Sequence, residues 1–243
     1  MEKKWIVIPD VHGRKFWRDA VKGNEDKRII FLGDYLDPYG MEGISPEDSY
    51  KELLDIISFK KEHPGNVTLL LGNHDLGYLD PNICSVRQDM DNRERNRRLL
   101  LDNIDLFDIV AVDQFDGSRI LFSHAGIRKR WIKNNRWLFG AEEFNPNVLN
   151  ELLHDDEGRK DLLFSLADVS IFRGGPDLSG SVVWTDVNEF IYFNDELPGY
   201  VQVFGHTLHY GGALSVGKNL WCLDCRKGFE VCPSGDGIEL TEL

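Results

Sequence analysis

Apolar positions along the chain fall into short runs rich in β-branched and aromatic residues, separated by stretches whose apolar residues recur with helical spacing. "KWIVIP", "RIIFLG", "VTLLLG", "DIVAVD", "RILFSH", "SVVWTD", "YVQVFG" and "LWCLDC" read as strands. The segment 45–65 reads as a helix: Ser45 is placed to cap it, Pro46 takes the first helical position, and Leu53, Leu54 and Ile57 form an apolar face. Lysines and "HPG" close it. "DNRERNRRLLLDNIDLFD" predicts a second helix, strongly basic at its start, and 145–168 predicts one or two more. Strand–helix–strand alternation early in the chain, followed by a strand-rich second half, predicts an α/β sandwich rather than a barrel of repeated units. Glycine, proline and charge become denser around 140–180, which fits a helical insertion. No linker or repeat interrupts the pattern, so one domain spanning 1–243 is expected.

Composition narrows the function classes. The chain has 243 residues, 42% hydrophobic and 28% charged, as in ordinary globular proteins. The net charge of −13 argues against nucleic acid or an anionic membrane as a general partner. No run reaches the roughly 20 apolar residues of a membrane span, and "MEKKWIVIPD" is too short to hold a signal-peptide core. A cytoplasmic location is expected. Cysteines stand at 84, 222, 225 and 232, the last three in "NLWCLDCRKGFEVC", which reads as a hairpin turning at Lys227-Gly228. Residues three apart on a strand face opposite ways, so packing is favoured over zinc or redox chemistry for these thiols.

The informative pattern lies where the strands end. "IPDVHG" delivers Asp10 and His12, "LGDYLD" delivers Asp34 and Asp37, "LGNHDLG" delivers Asn73, His74 and Asp75, "RILFSHAG" delivers His124, and "VQVFGHTLH" delivers His206. A glycine beside most of these clusters lets the backbone turn sharply. In an α/β sheet the carboxyl ends of the strands form the edge where ligands bind. Any one such Asp or His would be a turn, a helix cap or a satisfied core residue, as His63 and His154 are expected to be. Five clusters in the same context point to metal. An uncompensated acidic pair such as Asp34 and Asp37 at the mouth of a core strand also needs positive charge nearby. The donors are carboxylate, amide oxygen and imidazole, compatible with manganese first and with iron, zinc, cobalt or nickel. Asp10, His12, Asp34, Asn73, His124 and His206 are enough for two ions sharing one carboxylate.

The ordered set D-x-H-G, G-D-x-x-D, G-N-H-D, S-H-A-G and G-H-T resembles the calcineurin-like metallophosphoesterases. Within them it looks most like the phosphoprotein phosphatase branch, which includes serine/threonine phosphatases and bacterial diadenosine-tetraphosphate hydrolases. The resemblance runs from residue 5 to about 225 and implies a four-layer α/β/β/α sandwich with a dinuclear site at one edge of its sheets. Carried over by position, Asp10 and His12 hold one metal, Asp34 bridges, and Asn73, His124 and His206 complete the second. Asp37 is then not a ligand but orients His74. The implied chemistry is in-line hydrolysis of a phosphoester by a hydroxide shared between the metals, with His74 as general acid.

The chain departs from that pattern after the second aspartate. The family's arginine, which grips substrate phosphate, is replaced by Pro38 and then Tyr39. Arg173, ahead of "SVVWTD", is the first candidate to take over substrate binding, and Arg14 the second. The basic cluster Arg93, Arg95, Arg97 and Arg98 fits either a funnel for acidic substrate or a solvated helix face. His209 is left out, because "GHTLH" is one residue too long for the family's second histidine ligand. Phosphoproteins and dinucleoside polyphosphates remain as substrates, with a nucleic-acid or cyclic-nucleotide phosphodiester as an alternative. A catalytically dead metal-binding scaffold is the competing class.

Overall fold

The computed structural model of the chain describes residues 4–80, 83, 87–115, 117–140, 144–235 and 237–243. Cys84 lies outside the described residues. In chain order the elements are β1 (Trp5–Ile8), α1 (Phe16–Val21), β2 (Arg28–Phe31), α2 (Pro46–Glu62), β3 (Val67–Leu70), α3 (Asn73–Leu79) and α4 (Arg93–Asp102). They continue with β4 (Phe107–Asp108), β5 (Val110–Phe115), β6 (Ser118–Ser123), α5 (Lys129–Asn134), α6 (Arg136–Phe139), α7 (Val148–His154) and α8 (Gly158–Leu166). Last come α9 (Val187–Phe193), β7 (Tyr200–Phe204), β8 (Leu214–Gly217), β9 (Leu220–Cys222), β10 (Phe229–Ser234) and β11 (Gly237–Glu242).

The strands form two sheets, ordered β11-β10-β1-β2-β3-β4 and β5-β6-β7-β9-β8. Alternation along each strand explains the layering. On β1, Trp5 and Val7 join a core shared with Phe122, Val201 and Val203 of the second sheet, while Ile6 and Ile8 join the core that packs against Trp17, Leu53 and Ile56. Ile30 and Phe31 of β2 divide in the same way. On the far side of the second sheet, Val187 and Phe190 of α9 cover Phe204, Leu220 and Cys222. Helix, sheet, sheet and helix therefore stack as the sequence predicts, and the expected insertion is the helix pair α7 and α8.

Parallel pairing of β1, β2 and β3 sends their carboxyl ends to one edge, and β6 runs parallel to β7 in the other sheet. Helix α2 starts as its sequence dictates: the Ser45 hydroxyl accepts the Asp48 amide at 3.0 Å, with Pro46 following. Its buried face, however, is Leu53, Ile56 and Ile57, while Leu54 is 40% exposed. Positions 53, 56 and 57 keep the i, i+3, i+4 stripe that 54 breaks.

Two other expectations need correction. "SVVWTD" is a buried turn leading into α9, not a strand: the Val182 carbonyl accepts the Ala125 amide at 2.9 Å, and Asp186 caps the helix. The cysteine-bearing segment is not a hairpin. Its first strand, β9, pairs with β7 and β8, whereas β10 crosses to pair with β1 and β11 in the other sheet. Cys222 and Cys225 are free thiols, and Cys222 donates to the Gly205 carbonyl from a fully buried position. Cys222 packs in the small core under α9.

A buried ion-pair network locks α9 to the rest. Arg128, fully buried, pairs with Glu189 and, at 2.6 Å, with Asp195. Glu189 also accepts the Gly180 amide at 3.0 Å and the Asp186 amide at 2.8 Å. Removing one member of such a network leaves a charge stranded away from water. We expect Arg128→Ala to destabilise the fold by about 3–5 kcal/mol, read from urea unfolding, and Arg128→Met/Glu189→Leu to recover part of that loss. A single variant within about 1 kcal/mol of wild type would refute the account.

Candidate metal centre

Every strand-end residue singled out from the sequence arrives at the same place. Asp10 and His12 follow β1, Asp34 and Asp37 follow β2, Asn73 and His74 open α3, His124 follows β6, and His206 follows β7; all eight are buried. The backbone is bent to achieve this. Among the described residues, six non-glycine residues have positive φ, and four of them are His12, Asp34, Asp37 and His206. A left-handed conformation costs such residues roughly 1–2 kcal/mol each, and strain of this kind concentrates at functional sites.

The histidines are held in defined tautomers. His12 Nδ1 donates to the Leu36 carbonyl at 2.8 Å, and His124 Nδ1 donates to the Leu32 carbonyl at 2.8 Å. Both rings therefore turn an Nε2 lone pair inward, the arrangement that prepares a histidine for a metal. Asp34 Oδ2 lies between them, 3.5 Å from His12 Nε2 and 3.6 Å from His124 Nε2. Asp34 is thus common to two groups of potential ligands, His12–Asp34–His74 and Asp10–Asp34–His124. On the second side, Asn73 Oδ1, His124 Nε2 and His206 Nδ1 form a triangle with edges of 2.9, 3.0 and 3.2 Å. Close approach of lone-pair donors is favourable only around positive charge.

Electrostatics point the same way. Burial pushes the Asp10 carboxyl up, partly opposed by His124. Burial likewise disfavours ionisation of Asp34, but His124, His74 and His12 overcome it and hold that carboxyl down at about 2. Burial depresses His12 to about 3 and His206 well below the usual range, so both are neutral, as ligands must be. His206 Nε2 is buried without a hydrogen-bond partner, with Trp184 packed edge-on against its ring at 5.6 Å. The floor of the centre has no room for side chains at Gly72 and Gly205, where a Cβ would stand 2.2 Å from Asp34 Oδ1 and 2.2 Å from Asp10 Oδ1 respectively. Buried oxygen and imidazole donors with no thiolate among them fit a pair of divalent cations.

His74 has a different setting. Its Nδ1 donates to Asp37 Oδ2 at 2.9 Å, while Asp37 Oδ1 accepts Tyr78 Oη at 2.5 Å and the Asp89 amide at 3.0 Å. Burial opposes charging of His74, but Asp34 and the Asp37 hydrogen bond outweigh it and raise the imidazole pKa.

Sequence reasoning placed Asp75 at a strand end without a role, and it missed Asp224. Asp75 accepts the amides of Asp34 at 2.7 Å, Gly72 at 2.9 Å and Tyr35 at 3.1 Å, fastening the β2 and β3 ends together. Asp224 is buried with one oxygen unpartnered, its carboxyl pushed up by burial and by Asp10. A strand-end aspartate in "LWCLDC" was the available signal for Asp224. Residues set aside do lie elsewhere: His209 donates to the Cys222 carbonyl at 3.1 Å, His154 to the Phe107 carbonyl at 2.8 Å, and His63 caps α2. Of the basic helix α4, Arg95 and Arg98 pair with Glu47 and Glu94, and Arg93 donates to the Gly77 carbonyl, which favours a structural and solvated face. Arg14 is committed to Glu42 and the Asp10 carbonyl, and Arg173 pairs with Asp186 at 2.9 Å while donating to the His206 carbonyl at 3.0 Å and to Thr207 Oγ1 at 2.8 Å, which sets it beside a ligand candidate.

Solved structures share this fold. A serine/threonine phosphatase from Saccharomyces cerevisiae with similarity to human phosphatase PP5 is 14% identical with a TM-score of 0.57, the match covering 100% of this chain and 80% of that one. The cold-active protein-tyrosine phosphatase of a psychrophilic Shewanella species is 14% identical with a TM-score of 0.57, over 100% of this chain and 81% of that one. At such identities the likeness shows architecture. No curated protein matches the chain by sequence. The model of the calcineurin-like phosphoesterase family, by contrast, matches residues 4–210, a span that takes in every strand-end cluster described above. On that match the chain belongs to the calcineurin-like phosphoesterases and is a metal-dependent phosphoester hydrolase.

Proposed function

We propose that this enzyme is a phosphomonoesterase or a dinucleoside polyphosphate hydrolase, acting through two divalent cations and a histidine general acid within one domain. The observation that carries this reading is Asp34, shared between two buried donor groups beside the His74–Asp37 pair. Manganese is the ion we assign, and iron, zinc, cobalt or nickel suit the same donors. Phosphatase activity in the two structural neighbours named above supports a phosphorylated substrate. No helix among the described residues is long and apolar enough to cross a membrane, and we propose action in the cytoplasm.

Asp10 and His12 would hold one ion, Asn73, His124 and His206 the other, and Asp34 both. When bound, such ions supply a nucleophile by lowering the pKa of water from about 15.7 toward roughly 7, and they neutralise charge on the phosphoryl group. The remaining work falls to the chain. Leu36 and Leu32 carbonyls fix the His12 and His124 rings, and the Asp34 carboxylate is oriented by the His74 amide at 2.9 Å. Because His74 Nδ1–H is committed to Asp37, its transferable proton sits on Nε2, from which it protonates the leaving oxygen. Arg173, anchored beside His206, is the proposed substrate-binding arginine on that side.

Two outcomes test this. His74→Gln should lower kcat on an alkyl phosphate by about 10²–10⁴-fold while turning over nitrophenyl phosphate nearly as well as wild type, since nitrophenolate needs little protonation. Equal loss on both substrates would remove the acid role. Gly72→Ala should purify with clearly less bound manganese than wild type, by elemental analysis, because its Cβ displaces Asp34; undiminished metal with full activity would remove the centre from its assigned place.

A further inference from the structure

A furrow lies between α5, α6, α8 and α9, and none of the metal-ligand candidates lines it. One depression, of about 490 Å³, is bordered by Lys129, Arg130, Lys133, Phe193 and Asp195. A second, of about 460 Å³, is bordered by Trp137, Phe164, Asp168, Pro176, Asp177 and Leu178. Arg130 and Asn134 line both, which makes the two continuous. At the first end the backbone is pinned. The Asp195 carbonyl accepts the Lys129 amide at 3.0 Å, and Asp195 Oδ2 accepts the Arg130 amide at 3.2 Å. Asp195 Oδ1 is taken by the buried Arg128, whose guanidinium lies 4.8 Å from the Phe193 ring centroid. Lys129, Arg130 and Lys133 are exposed, and among the described residues none of the three forms an ion pair. Their i, i+1, i+4 spacing gathers them on one side of α5.

The other end is apolar. Phe164, Trp137 and Leu178 come from three separate segments and stay 74%, 51% and 50% exposed around one depression. Apolar surface continues past Phe193, which meets Phe172 at 6.3 Å, and Phe172 stacks on Tyr192 at 5.6 Å. Large side chains gathered in a concave, partly charged surface mark an interaction site. The charges select the occupant. A nucleic acid would carry phosphates past Asp168 and Asp177 at the apolar end, and a bilayer is too flat to enter a furrow. A protein segment with carboxylates at one end and an apolar anchor at the other matches both halves. The chain's net charge of −13 does not oppose this, because charges are screened beyond about 8 Å at physiological ionic strength and the nearby cations dominate.

We propose that this furrow docks an acidic segment of a partner protein, its carboxylates on Lys129, Arg130 and Lys133 and an aromatic or aliphatic anchor among Trp137, Phe164 and Leu178. Docking there is separate from the hydrolytic chemistry and does not depend on which phosphoester is cleaved. Backbone already pinned by Asp195 leaves little ordering to be done when the segment binds.

The test selects short random peptides displayed on phage against the immobilised full-length protein. Selected peptides are then measured by fluorescence anisotropy on wild type, Lys129→Gln/Arg130→Gln/Lys133→Gln and Phe164→Ser. Enriched peptides should combine Asp or Glu with Trp, Phe or Leu. The triple variant should weaken their binding by about 10- to 100-fold and Phe164→Ser by about tenfold, and added salt should weaken binding to wild type. Lys133→Gln alone, expected to lose about threefold, keeps the test readable should the triple variant melt early. All these side chains are exposed, so melting temperature and nitrophenyl phosphate turnover should match wild type. Those controls separate a failed docking site from a failed hydrolase reading. The proposal falls if no peptide is enriched, if enriched peptides lack acidic residues, or if they bind the variants within about twofold of wild type. Sedimentation showing a wild-type dimer that the triple variant dissolves would reassign the face to self-association. Displacement of the peptide by oligouridylate at lower concentration than by free peptide would reassign it to nucleic acid.

Discussion

Burial of carboxylates that no lysine or arginine pairs with is the constraint around which this molecule is organised. Asp10 and Asp34 are each about 2% exposed, and the imidazoles that meet them turn lone pairs rather than protons toward the same space. Burial leaves them little solvation, and among the described residues no lysine or arginine forms an ion pair with either carboxylate. Such an arrangement is unfavourable by itself and becomes favourable around cations. The two sheets, their parallel strand ends, the left-handed turns and the missing Cβ atoms at Gly72 and Gly205 serve to hold that arrangement open and correctly spaced.

The supporting structure is correspondingly rigid. Asp75 joins the β2 and β3 ends through three backbone amides, and Tyr78 with the Asp89 amide fills the remaining oxygen of Asp37. The donors are therefore oriented by the polypeptide itself and not by whichever ion enters. The buried turn at 181–186 also sets Trp184 edge-on against His206, one indole beside one ligand candidate.

The frame and the donors were legible in the sequence because both arise from local rules. Short runs of β-branched and aromatic residues marked Trp5 to Ile8 and Arg28 to Phe31 as strands, and the polar cluster after each marked the edge where they stop. Helix α2 was legible from its cap. Features that depend on distant partners were not. "SVVWTD" has strand composition, yet its residues are buried by neighbours from other layers, and β-branched composition alone cannot distinguish the two. The Lys227-Gly228 turn looked like a hairpin because turn chemistry is local, while the choice of sheet for β10 depends on pairing with Trp5 to Val7, more than 200 residues away in the chain. Leu54 and Ile56 differ in burial by rotation around one helix, a matter settled by what packs on it.

The hydrogen bond from the His206 amide to Asp10 Oδ1 joins positions 196 residues apart. A polypeptide emerging from the ribosome therefore carries Asp10, Asp34 and Asn73 long before the strand that brings His206 exists. On the proposed assignment, half-made chains present a collection of carboxylates with an incomplete cage, and hydrolytic competence arrives abruptly, when β7 docks beside β6.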